Sequence, residues 1–133
     1  VINTDSQNNR SLLMLSVMLT GWLVPGGGYF LLKEYSRAVI ILLTLTLTFC
    51  AGLYIGSIGV IDPVGAKLWY VTQLLFSPAV ALIGRVTAVG RFGVYGRPAE
   101  IGQIYTTIAG LLNLLCIVNA VYSASTHNRP GGK

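Results

Sequence analysis

The chain has 133 residues, of which 53% are hydrophobic and only 10% charged, and its mean hydropathy is +0.69, whereas an ordinary soluble domain is about 25% charged. Nine basic and four acidic residues are too few to clothe a water-exposed surface around one core, so a bilayer is the expected solvent. The net charge of +5 is carried by basic residues scattered singly between apolar runs, which fits lipid headgroups and topology and argues against a nucleic-acid partner.

The opening stretch VINTDSQNNR is polar and lacks the basic start and small-residue cleavage site of a signal peptide. Its leading Val is what removal of an initiator Met leaves, and a trimmed chain looks the same. The first apolar run, SLLMLSVMLTGWLVPGGGYFLL, covers residues 11–32 and is long enough to cross a hydrocarbon core of about 30 Å. Pro25 removes a backbone donor, and Gly26, Gly27 and Gly28 follow it directly. The combination predicts a break or sharp bend in the first helix, with the freed carbonyls near Gly21 and Trp22 finding partners in a neighbouring helix, water or a headgroup.

The polar stretch Lys33-Glu34-Tyr35-Ser36-Arg37 suits a tight turn, and the second span follows at 38–56 with no charge. Alternating threonines at 44, 46 and 48 suggest a strand locally, but the length of the run favours a helix in which Thr back-bonds its hydroxyl. Asp62-Pro63 and Gly65 signal a turn. The third span, 68–84, is short, interrupted by Pro78 and closed by Arg85, so it either crosses or re-enters. Residues 91–103 read as the longest polar connection, the fourth span as 104–124, and residues 1–10 and 125–133 as polar tails.

The expected fold is therefore an all-α membrane protein, a single transmembrane domain of four helices without an internal repeat. Lys33, Arg37, Arg85, Arg91 and Arg97 fall on one side of this topology and Arg10, Lys67, Arg129 and Lys133 on the other. That balance orients the termini to the non-cytoplasmic side of an inner (cytoplasmic) membrane, with Arg85, Arg91 and Arg97 at the headgroups.

Catalytic and metal chemistry find little material. His127 is the only histidine and stands in the tail, which excludes bis-His haem ligation within the chain and leaves a Ser/His/Asp or Cys/His set without a motif. Asp5, Glu34, Asp62 and Glu100 all fall outside the expected spans. Cys50 and Cys116 lie in apolar runs, where a free Cys behaves as a small hydrophobe. The GGGYF stretch lacks the pattern of a phosphate-binding loop.

Small residues recur four apart at Gly52 and Gly56, Ser77 and Ala81, Gly84 and Ala88, Thr106 and Gly110, and Ala120 and Ala124. Such pairs let a second backbone approach closely, and amides within spans, here Gln73, Asn113 and Asn119, commonly bond across helices. Asn113 and Asn119 stand about 120° apart on a helix and so address different neighbours.

At GWLVPGGGYFLLKEYSRAVIILLTLTLTFCAGLYIG the chain resembles small bacterial membrane proteins whose first helix ends in Pro-Gly-x-Gly before an aromatic, a short basic turn and a second apolar helix. Lys33 follows Leu32 directly where those proteins carry a Gly. RPAEIGQIYTTIAGLLNLLCIVNA is similar to the last helix of an uncharacterised bacterial family with an acidic-Ile-Gly segment leading into Ala-Gly-Leu-x-Asn. The matching positions are Pro25, Gly26, Gly28, Tyr29, Glu100, Gly102, Ala109, Gly110 and Asn113. The resemblance implies a helical membrane protein of unknown activity.

By elimination the expected role is that of a non-catalytic accessory subunit of a multisubunit membrane complex, photosynthetic or respiratory. Other integral-membrane subunits and lipids would be its partners, with lipids or pigments seated at the subunit edges and no intrinsic haem or metal site. The faces of the second and fourth spans, Gly52 and Gly56 included, would dock on the partner, together with the polar termini. The alternative is a small oligomeric transporter or channel with Arg85, Gln73 and Asn113 along its path; a lipid-modifying enzyme ranks below both for want of a catalytic set.

Overall fold

A computed structural model describes residues 4–90 and 96–127. The described chain is helical: α1 (Thr4–Leu23), α2 (Gly27–Leu31), α3 (Tyr35–Gly56), a 3-10 turn at Ile58–Val60, α4 (Lys67–Leu74), α5 (Ala79–Gly90) and α6 (Arg97–His127).

The threonines of the second apolar run are helical. Thr48 Oγ1 donates to the Thr44 carbonyl at 2.8 Å, a back-bond that hides the hydroxyl within the helix. α6 begins earlier than the apolar run: Pro98 stands in the first turn, where its missing N–H costs nothing, and Glu100 in the same turn favours the helix dipole. Residues 97–103 are therefore helix and not connection. Residues 4–10 and 125–127, expected as polar tails, are likewise helical.

α3 and α6 are antiparallel. A Cβ built on Gly102 would lie 2.7 Å from both the Gly52 carbonyl oxygen and the Gly56 Cα, so the two backbones touch. This corrects the expectation that the Gly52/Gly56 face is free for a partner: the contact is internal, because a helix pair without Cβ atoms at its crossing gains dispersion contacts along its whole length.

The other two apolar segments reverse direction within themselves. In a continuous helix Tyr70 and Gly84 would be about 21 Å apart, yet a Cβ on Gly84 would sit 2.7 Å from Tyr70 Cε2. Thr87 Oγ1, further on, donates to the Ile61 carbonyl at 2.6 Å. α4 and α5 thus form a helical hairpin, with Arg85 inside α5 and not at its end. In the same way a Cβ on Gly28 would lie 3.0 Å from the Val17 carbonyl oxygen, and one on Gly27 would strike the Thr20 carbonyl, so α2 folds back along α1.

The two hairpins approach along α6 from opposite ends. Arg10 Nη2 donates to the Ser125 carbonyl at 2.7 Å and Gly21 abuts Ile117, so α1 runs against α6 from its C-terminal end. Thr72 meets Thr107, and the Phe76 carbonyl meets Asn113, so α4 runs with α6 from its N-terminal end. Each hairpin has its own core. Val17, Tyr29, Ala38, Ala120 and Ala124 pack the first. Leu45, Phe49, Ile61, Phe76, Val80 and Ala109 pack the second, with the Phe49 and Phe76 rings stacked at 4.2 Å.

Two helices, Tyr35–Gly56 and Arg97–Thr126, are long and apolar enough to cross a membrane, where four were expected. The reversal also regroups the charges. Lys33 and Arg37 stand at the same end of the bundle as Arg10, so the described bases divide into Arg10, Lys33 and Arg37 against Lys67, Arg85 and Arg97 and do not follow the partition drawn from four crossings.

Candidate functional site

Asn113 stands mid-way along α6, and the tips of both hairpins close on it. The local cause is proline. Pro25 has no N–H for the Gly21 carbonyl four residues before it, and Pro78 has none for the Leu74 carbonyl. At the first tip the chain leaves α1 after Leu23 and starts α2 at Gly27, with Pro25 and Gly26 between. Gly26 is left-handed with φ 79°, and a Cβ there would lie 2.9 Å from the Ala38 carbonyl oxygen. At the second tip Ser77 caps α5, its Oγ accepting from the Ala79 N–H at 3.3 Å.

The carbonyls loosened by these breaks are satisfied across the tips. The Asn113 amide nitrogen donates to the carbonyls of Gly21 at 3.2 Å, Leu75 at 3.0 Å and Phe76 at 2.9 Å. Two hydrogens serve three acceptors, so one bond is shared, and the ring of carbonyls dictates that the nitrogen side of the amide faces them. Trp22 Nε1 donates to the Leu74 carbonyl at 3.1 Å, and Ser77 Oγ donates to the Leu23 carbonyl at 3.1 Å. Each tip therefore donates one bond to the other, and Asn113 joins both.

Two turns of α6 away, Gln73 Nε2 donates to Thr106 Oγ1 at 2.8 Å and to the Val60 carbonyl at 3.4 Å. Gln73 and Asn113 are both fully buried, and the amide oxygens of both, Oε1 and Oδ1, have no hydrogen-bond partner. The arrangement offers two acceptor oxygens and no titratable group among its bonded residues, which suits binding of a donor.

The remaining residues singled out from sequence fall elsewhere. Gly110 packs against the Thr72 carbonyl of α4, one turn from Asn113. Asn119 donates to the Tyr29 hydroxyl at 2.7 Å, tying α2 to α6. Arg85 and Arg97 are exposed on α5 and at the start of α6, and Arg91 lies outside the described residues. Of the residues expected along a path, Gln73 and Asn113 are buried at the α4/α6 interface and Arg85 is exposed on α5. Glu34 pairs with Arg37 at 2.9 Å, and Asp62 accepts the Val64 and Gly65 N–H groups in a turn. Among the described residues no three of His, Cys, Asp and Glu come together to hold a metal. Cys50 and Cys116 are both free. Ser77 was expected only as a small residue paired with Ala81, and Trp22 only as the place of a freed carbonyl, not as donors; counting four residues back from each proline locates the Gly21 and Leu74 carbonyls, but not what bonds them.

These features define an all-helical protein with two helices apolar enough to cross a membrane and two proline-broken hairpins joined at a buried asparagine. Residues 16–131 match a family of unknown function (DUF6677), and the chain belongs to that family. No curated protein and no solved structure matches the chain.

Proposed function

We propose that the chain lies in a membrane, crosses it with α3 and α6, dips into it from each face with one hairpin, and serves there as a non-catalytic packing subunit of a larger membrane assembly. The observation that carries this reading is that the donors of the polar centre are spent on the fold itself. The Asn113 amide nitrogen, Trp22 and Ser77 are all engaged on backbone carbonyls of the hairpin tips, so the mid-depth polar groups hold the fold together. The outer faces then do the protein's work. They are apolar: Ile40 and Leu47 on α3 and Leu115 and Val118 on α6 are each more than half exposed, which suits acyl chains or a partner helix and is not how the core helix of a soluble protein is covered.

Single-cysteine labelling in a Cys50→Ala, Cys116→Ala background tests the topology. Asn8→Cys and Ser36→Cys are expected to react from one membrane face and Glu100→Cys from the other; opposite faces for positions 8 and 36 would restore four crossings. Purification in mild detergent then tests the role, with co-migration in a larger complex as the expected outcome.

A second reading, a small oligomeric transporter, is favoured by one observation. Gly- and Pro-interrupted helices that meet at mid-depth from opposite faces are a recurrent way to build a substrate site, and here they flank the two partnerless amide oxygens of Gln73 and Asn113. Isolation as a homo-oligomer alone would favour it.

A further inference from the structure

We infer that a groove between α1 and α6 is the seat of one acyl chain of an anionic phospholipid whose phosphate is held by Arg10. The inference rests on the membrane reading above and adds an occupant and a headgroup ligand to it.

The groove has a volume of about 300 Å³ and is lined by Met18, Trp22, Leu75, Leu114, Ile117, Val118 and Val121. Its inner end is closed at mid-depth by Leu75 of the second hairpin tip and by Trp22, whose indole is fixed by its bond to the Leu74 carbonyl. On α6 the stripe of Leu114, Val118 and Val121 that lines the groove continues one turn further to Ser125, whose carbonyl holds Arg10, and Arg10 stands twelve residues before Trp22 on α1. That is about 18 Å of helix, close to the depth of one leaflet of a hydrocarbon core of about 30 Å. An acyl chain laid along the stripe with its end at Trp22 thus brings its headgroup to Arg10.

Arg10 is prepared for such a group. Its Nη2 is held by the Ser125 carbonyl at 2.7 Å, while its Nε is buried with no hydrogen-bond partner. A guanidinium anchored at one nitrogen and paired with no carboxylate among the described residues leaves a net positive charge that a phosphate oxygen would answer. Asp5, five residues earlier on α1, is turned about 140° from Arg10 around the helix and forms no ion pair with it.

The test uses the full chain with Trp69→Phe, so that Trp22 is the only fluorophore of its kind, in phosphatidylcholine vesicles containing a minor fraction of phosphatidylglycerol. Bromine is placed on the acyl chains of one lipid at a time. The expected result is that brominated phosphatidylglycerol quenches Trp22 several-fold more than the same fraction of brominated phosphatidylcholine. The preference should vanish in Arg10→Gln and also in Val118→Phe, which fills the groove and leaves Arg10 untouched. Equal quenching by the two lipids, or a preference that survives Arg10→Gln, overturns the proposal. Quenching that fades as the protein-to-lipid ratio rises means that a second copy covers the groove, and also overturns it. A chain that fails to float with the vesicles refutes the membrane reading itself; one that floats and shows no preference refutes the lipid site alone.

Discussion

Asn113 on α6 donates its amide to the carbonyl of Gly21 on α1, 3.2 Å away and 92 residues earlier, and this carbonyl is the one that Pro25 leaves without a helical donor. The same nitrogen serves Leu75 and Phe76 of the opposite hairpin, so one side chain bonds both tips, while the Leu74 carbonyl that Pro78 leaves open is taken by Trp22.

Replacing Asn113 by Leu removes the one side-chain donor, among the described residues, that bonds both tips, and leaves the Gly21, Leu75 and Phe76 carbonyls without it. A loss of about 2 kcal/mol is expected, read as a lowered midpoint of unfolding in mixed detergent and SDS. Asn119→Leu removes a single bond to the Tyr29 hydroxyl from a residue that is itself exposed, and should cost about 0.5 kcal/mol. Equal losses for the two variants would deny Asn113 its central place.

Trp22 and Ser77 donate across the tips in opposite senses, each to a carbonyl on the other hairpin. Trp22→Phe and Ser77→Ala should therefore be coupled, with a double-mutant interaction energy of about 0.5–1 kcal/mol. Strict additivity in that cycle would show that the two bonds do not depend on one shared docking of the tips.

Lys33 closes α2 in a left-handed conformation with φ 60°. Its N–H bonds the Phe30 carbonyl at 3.1 Å and the Glu34 N–H bonds the Tyr29 carbonyl at 3.0 Å, the pair of bonds that ends a helix where Gly is preferred. Lys33→Gly relieves the Cβ strain at the expense of unfolded-state freedom, and a net gain of about 0.5–1 kcal/mol is expected in the same unfolding assay. A destabilised Lys33→Gly would mean that the side chain itself holds the turn.

At the α3/α6 crossing Gly102 has no room for a side chain, since a Cβ there already meets the Gly52 and Gly56 backbones. Gly102→Leu must push the helices apart, at about 3 kcal/mol or outright loss of folded protein. Thr46→Leu, on the exposed side of α3, should stay within about 0.5 kcal/mol of the parent. A tolerated leucine at 102 would show that the contact is not close in solution.

The breaks were legible because they are chemical. Pro25 and Pro78 remove donors wherever the chain puts them, and a triple glycine beside the first leaves the backbone free to turn. The α3 helix was legible too, since an uncharged run of that length has one economical conformation in lipid. The partners of the freed carbonyls were not: Trp22, Ser77 and Asn113 are separated from their acceptors by 52, 54 and 92 residues, and no local pattern couples such distances. Gly52 and Gly56 show the same limit, for a small-residue face announces a close contact without saying whether its partner is another chain or, as here, α6.

By itself, then, the sequence determined the apolar character, the helical content and the places where helices break, because these depend on side-chain transfer energies and on local backbone donors. Only the tertiary structure decided which way the chain runs after each break. Past Pro78 a bent helix continuing across and a helix turning back satisfy the local chemistry equally; the contact of Gly84 with Tyr70 and the bond from Thr87 to the Ile61 carbonyl select the second. Direction after a break is set by what the emerging helix packs against, and that surface is assembled from residues far away in the chain.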